Sequence, residues 1–154
     1  MLLDGFNHVA IITADTARFV DFYREVFGAE VVGEQRMGDE GVLTMVEIGG
    51  QREINLFEVR GNTEAHRQTP MFGRGRLDHL GLQASSLEAF DEIRSRLMAR
   101  GAADDFVTDF GPVLSLFFCD PDGLEGEVCV PNPDAVPGQL IPPGTRAARY
   151  APAG

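Results

Sequence analysis

Two of the three histidines in this chain, His8 and His79, sit in similar segments, FNHVAII and LDHLGL. Imidazole carries protons near neutrality and is the commonest nitrogen ligand of divalent ions, so a duplicated His points to proton transfer or metal binding. The spacing between them, 71 residues, also separates Asp15 from Ser86 and Phe19 from Phe90. A whole unit is therefore repeated, and not one residue by chance. Asn55 and Glu127, near the end of each copy, stand 72 residues apart. Two neutral imidazoles and a carboxylate make a good donor set for a divalent cation, and a carboxylate on an apolar surface needs a partner of that kind. The plainer reading makes His8 and His79 satisfied strand residues and Glu127 a solvated edge residue. With only 3 His among 154 residues, a second one at the repeat-equivalent position favours the metal set.

The elements that must position these groups follow from periodicity. Phe19, Phe22, Val26 and Phe27 recur at helical spacing behind Asp15, a capping residue, and before Gly28, a natural stop. Leu87, Phe90, Ile93, Leu97 and Met98 repeat this behind Ser86 and end at Gly101. Strands are expected at the His-bearing segments, 6–12 and 77–82, then at 31–35, 42–48 and 53–59 in the first copy and about 105–108, 113–119 and 124–130 in the second. Each copy reads β-α-β-β-β. Asp120-Pro121-Asp122-Gly123 is a strong turn signal joining the last two strands.

Strand side chains alternate, which separates two faces. Val9, Ile11, Ile54, Leu56, Leu80, Leu82, Val128 and Val130 belong to the face that meets the helices. The other face carries His8, Ala10 and Ile12, Asn55 and Phe57, His79, Gly81 and Gln83, and Glu127 and Cys129. Should the two sheets curve toward one another, two imidazoles and a carboxylate converge there. Phe57, Gln83 and Cys129 then become candidates for lining a substrate pocket, although Cys129 is better read as a small buried apolar residue.

Composition narrows the function further. The chain has 13 basic and 24 acidic side chains, a net charge of −11 and a pI near 4.6. That balance argues against nucleic acid as a partner. All the basic residues are Arg and none is Lys, which excludes lysine Schiff bases and P-loop phosphate chemistry. No apolar run approaches the ~20 residues of a membrane span, and the N-terminus lacks a basic signal-peptide region. Cys119 and Cys129 are too few for a disulfide framework, so a reduced, cytoplasmic protein is expected. A chain of this length buries roughly 70% of its unfolded surface without a metal staple, so a bound metal would serve function before structure.

These residues together resemble the vicinal oxygen chelate superfamily of glyoxalase, extradiol dioxygenases and bleomycin-resistance-type proteins. The likeness is carried by FNHVAIITADTARFVDFYREVFG, LDHLGLQASSLEAFDEIRSRLMARG and FFCDPDGLEGEV, over about residues 6–130. It implies an α+β fold in which two βαβββ modules form a cupped mixed sheet around one divalent metal. A single domain, 1–130, is then expected, with module one at 5–60, an inter-module loop at 61–76 and module two at 77–130. The Pro-rich tail at 131–154 is expected to be irregular. By the same likeness His8, His79 and Glu127 are the metal ligands, Glu125 is a less suitable substitute for Glu127, and a homodimer is expected.

One departure shapes the expected chemistry. Where glyoxalase-like members usually carry a Glu that binds metal and moves a proton, this chain has Asn55, which can offer its carbonyl oxygen to the metal but cannot act as a base. The remaining His8, His79 and Glu127 resemble the facial triad of extradiol dioxygenases, so Fe2+ is favoured, with Zn2+, Mn2+, Ni2+ or Co2+ also compatible. Ring-cleaving or other dioxygenase chemistry on a small substrate with vicinal oxygens is slightly preferred. An isomerase, lyase or epimerase, or a metal-free antibiotic-binding resistance protein, are the alternatives. Against the dioxygenase, the strand before the DPDG turn lacks the Tyr common in those enzymes, and neither Tyr23 nor Tyr150 obviously replaces it. The inter-module loop adds His66 as a candidate proton carrier. Its Arg60, Arg67, Arg74 and Arg76 against Glu64 could draw in an anionic small-molecule substrate, with Arg74 assigned to the pocket. Solvated arginines that keep the loop soluble explain the same charges at least as well.

Overall fold

The computed structural model describes residues 2, 5–69, 73 and 78–138. The chain divides into two compact units, Met1–Gln68 and Thr69–Gly154, and the division falls inside the expected inter-module loop. The first unit runs β1 (His8–Ile12), α1 (Thr16–Phe27), β2 (Glu30–Arg36), β3 (Gly41–Glu47) and β4 (Glu53–Val59). The second repeats it as β5 (Leu80–Gln83), α2 (Leu87–Ala99), β6 (Val107–Asp109), β7 (Val113–Cys119) and β8 (Glu125–Pro131). The sheet orders are β1-β4-β3-β2 and β5-β8-β7-β6. In each, the first strand pairs parallel with the last while the other pairs are antiparallel. Two mixed four-stranded sheets, each with one helix, make this the α+β arrangement read from the repeat.

Local chemistry explains the boundaries. Asp15, in extended conformation, accepts a hydrogen bond from the Arg18 amide at 3.0 Å and opens α1, and Gly28 closes it at φ 72°. Ser86 does the same for α2 through the Ala89 amide at 3.1 Å, and the left-handed residue that ends it is Gly101 at φ 62°. Phe19, Phe22, Tyr23 and Val26 are buried in the first unit together with Ile54 and Leu56 of β4. In the second unit Phe90 and Leu97 are buried with Leu116, Phe118, Val128 and Val130. The apolar stripe of α2 is narrower than its sequence suggests, because Leu87 and Met98 are 36% and 44% exposed.

Three strands start two or three residues later than expected. β1 begins at His8, the first residue of its strand, whereas β5 begins at Leu80, so that His79 stands just before its strand and outside the ladder. β6 begins at Val107 because Asp104 first turns the chain, its carboxylate accepting the Phe106 amide at 3.0 Å. The DPDG turn forms as read: Asp120 Oδ1 accepts from the amides of Asp122 at 2.9 Å and Leu124 at 2.8 Å. That locks the β7–β8 register, setting Phe117 opposite Glu127 and Ser115 opposite Cys129. Beyond β8 the chain turns at Asn132, whose side-chain oxygen accepts the Asp134 amide, while the rest of the expected tail, from residue 139, lies outside the described residues.

The caps yield a direct test of this local reading. Asp15→Ala and Ser86→Ala are each expected to cost about 1 kcal/mol, read as a lower urea midpoint, and Asp15→Ser is expected to recover most of the loss. Unchanged midpoints would show that the helices do not depend on these side chains.

Candidate functional site

In the second unit the strand register builds the site. Gln83, Cys129, Ser115 and Thr108 form one row across β5, β8, β7 and β6, and Gly81, Glu127 and Phe117 form part of the next. Glu127 is held on one side: Ser115 Oγ, fully buried, donates to Glu127 Oε2 at 2.6 Å. Its other oxygen, Oε1, lies 3.4 Å from His79 Nε2. Gly81 lies beside the same oxygen, where a Cβ would stand 3.4 Å from Oε1, an ordinary contact distance.

His79 is held from its opposite edge. Asp78 Oδ2 stands 2.7 Å from His79 Nδ1, and because a carboxylate can only accept, the Nδ1–H donates. The ring thus has a carboxylate beside each nitrogen. A lone pair on Nε2 and one on Oε1 repel at this separation unless a proton or a cation lies between them. Two donors on one cation stand about 2.9–3.4 Å apart when each bond is about 2.0–2.1 Å, for angles between octahedral and tetrahedral. His79 and Glu127 therefore have the separation of two ligands of one ion.

The first unit repeats the device on one side and omits it on the other. Asn7 Oδ1 accepts from His8 Nδ1–H at 2.9 Å, as Asp78 does for His79, and leaves Nε2 as the nitrogen for a ligand. The row Ile12, Phe57, Leu43 and Gln35 is the counterpart of Gln83, Cys129, Ser115 and Thr108. Leu43 stands where Ser115 stands, so nothing donates to Asn55 from that position. Asn55 Oδ1 is shut off from solvent and has no hydrogen-bond partner in the structure. A buried acceptor left in this way costs about 1–3 kcal/mol, which a cation or a substrate hydroxyl would recover.

The other candidates are placed as follows. Phe57 is half-buried in its apolar row. Gln83 spends its amide NH2 on the carbonyls of Ala84 and Cys129, both at 3.0 Å, and so ties β5 to β8. The Cys129 thiol is pushed up to about 11, mainly by burial and next by the charge of Glu127, with a hydrogen bond from Ser115 pulling the other way. Glu125 is half-buried opposite Cys119. His66 is exposed on the loop after β4, next to Arg67, whose guanidinium pairs with Glu64 at 2.6 Å. Arg74 and Arg76 lie outside the described residues. Among the described residues there is no group of three or more His, Cys, Asp or Glu side chains that could hold a metal ion, so the expected set of His8, His79 and Glu127 is not seen as such a group.

Three residues at the site were not singled out from the sequence: Asn7, Asp78 and Ser115. The first two carried a signal, a side-chain oxygen acceptor immediately before each repeated histidine. Ser115 could have been found by counting back from the DPDG turn, because the register that pairs Cys119 with Glu125 puts Ser115 one row from Glu127.

Comparison with known proteins agrees with this architecture. Residues 5–128 match the model of the Glyoxalase/Bleomycin resistance protein/Dioxygenase superfamily. The chain is 26% identical over 101 residues to a protein of Bacillus subtilis named putative ring-cleaving dioxygenase MhqA, a match covering 62% of this chain and 30% of that protein. It thus spans less than a third of that relative's length. A glyoxylase/bleomycin resistance protein/dioxygenase domain from Frankia sp. EAN1pec superposes with a TM-score of 0.70 at 25% identity, covering 86% of this chain and 95% of that one. The fosfomycin resistance protein FosX of Listeria monocytogenes, solved with Mn(II) and sulfate, shares the fold at a TM-score of 0.58 and 19% identity, covering 86% and 96%. With its duplicated β-α-β-β-β units and a family match that runs from before β1 into β8, the chain belongs to the Glyoxalase/Bleomycin resistance protein/Dioxygenase superfamily.

Proposed function

We propose that the protein is a divalent-metal-dependent enzyme whose ligands are His8, His79 and Glu127, and that it acts on a small substrate bearing vicinal oxygens. The observation that carries this reading is His79, set between the carboxylates of Asp78 and Glu127 with Nε2 and Oε1 at a ligand-to-ligand distance. Asp78 and Glu127 together bring two negative charges to one imidazole, which a divalent cation would balance. Support also comes from His8, whose Nδ1 is engaged in the same way and whose Nε2 is therefore oriented as a ligand. Bound there, the ion supplies Lewis-acid stabilisation of negative charge on the substrate oxygens and, as Fe(II), one-electron chemistry.

The chain's own residues favour dioxygenase chemistry over isomerisation. Asn55 occupies the place of a proton-moving Glu and cannot accept a proton, so a glyoxalase-type proton relay lacks its base. Its buried carbonyl oxygen is suited to a substrate hydroxyl or to the cation. In the metal-free chain burial and the charge of Glu127 keep Cys129 a neutral thiol, while the Ile12, Phe57 and Leu43 row offers an apolar surface for an aromatic ring. His66 is retained as the proton carrier, since it is the one histidine outside the ligand set. The name of the Bacillus subtilis relative, a putative ring-cleaving dioxygenase, agrees with this preference. We assign the protein to the cytoplasm as a homodimer, on the strength of a cysteine content too low for a disulfide framework and of its family likeness.

Three outcomes are expected. Protein purified without chelator should carry close to one divalent ion per chain by elemental analysis, and His8→Ala, His79→Ala and Glu127→Ala should each reduce it to background. Metal-free wild-type protein that cannot be reloaded would support a binding protein instead. Fe(II)-loaded protein should consume oxygen with catechol-like substrates, and silence across such a panel would move the assignment to isomerase or lyase chemistry. Finally, with its pKa raised, Cys129 becomes thiolate only as the pH approaches about 11. At pH 8 iodoacetamide should label it about a hundredfold more slowly than an ordinary thiol, and Glu127→Gln should accelerate labelling. Fast labelling at pH 8 would return Cys129 to the list of nucleophiles.

A further inference from the structure

The two units hold their histidines with different force. Asp78 places a full carboxylate on His79 Nδ1–H at 2.7 Å, whereas Asn7 places a neutral amide oxygen on His8 at 2.9 Å. A charged acceptor makes the shorter and stronger hydrogen bond, and it raises the electron density the ring presents at Nε2. The contrast continues at the second ligand position. Glu127 is fixed through Oε2 by the buried Ser115 hydroxyl, which leaves Oε1 turned to His79. Asn55, at the matching position, has Leu43 where Ser115 would be, and its oxygen is answered by nothing.

We infer that Asp78 and Ser115 are positioning residues that preset His79 and Glu127 as two ligands of one divalent ion. This rests on the metal-dependent reading given above and adds to it the groups that orient two of its ligands. The geometry behind it lies wholly within the second unit. Asp78 selects the Nδ1–H tautomer and the ring rotation, and Ser115 selects which carboxylate oxygen is offered and in what direction. Both costs of ordering are met before any ion arrives, which is how groups behind the ligands raise metal affinity.

The test is Co(II) titration of the full metal-free chain, followed by d–d absorption and calorimetry, with circular dichroism to confirm folding. Asp78→Ala and Ser115→Ala are each expected to lower Co(II) affinity about 10–100-fold and to alter the absorption bands. Asp78→Asn, which keeps an oxygen acceptor without the charge, should restore the bands and part of the affinity. Wild-type affinity and spectra in Asp78→Ala and Ser115→Ala would overturn the inference alone. Failure of wild-type protein to bind Co(II), Fe(II), Mn(II) or Zn(II) would overturn the metal site itself and this inference with it.

Discussion

The structure turns on an imidazole between two carboxylates. His79 donates to Asp78 on one edge and meets Glu127 on the other, so that two carboxyl groups face one ring. Ser115 occupies one oxygen of Glu127, and the burial of Cys129 beside the same carboxylate pushes its thiol pKa up.

Duplication supplies the frame, and divergence of a few side chains supplies the chemistry. Both units build a mixed four-stranded sheet with one helix from the same order of elements, capped by an acceptor side chain and closed near a glycine. Equivalent rows of the two sheets carry opposite content: Ile12, Phe57 and Leu43 in one, Gln83, Cys129 and Ser115 in the other. One unit thus presents apolar surface and an unanswered amide oxygen, and the other presents a hydrogen-bonded polar group. The scaffold is indifferent to this exchange because the helix-facing residues, Ile54 and Leu56 or Val128 and Val130, carry the packing on the opposite face.

The DPDG turn connects the frame to the site. Asp120 satisfies two amides of the turn with one carboxylate oxygen, which sets the hairpin register residue for residue. A slip of one position would turn Glu127 to the helix face and bring Val128 to the polar one. The turn therefore fixes the face on which Glu127 lies.

The sequence alone determined the repeat, the element types, the caps, the turn and the face on which His8, Asn55, His79 and Glu127 lie. All of these follow from local rules: a period of 3.6 or 2, a capping side chain, a glycine at positive φ, a Pro-Gly turn. Strand starts moved because the ladder begins at His8 in the first unit and only after His79 in the second, and periodicity does not register where hydrogen bonding between strands begins. Ser115 behind Glu127, and the grip of Asp78 and Asn7 on their neighbouring rings, were decided by tertiary structure. They depend on which strands pair, in what register and with which rotamers, and those are settled by contacts between residues far apart in the chain or by side-chain angles that no pattern of hydrophobicity encodes.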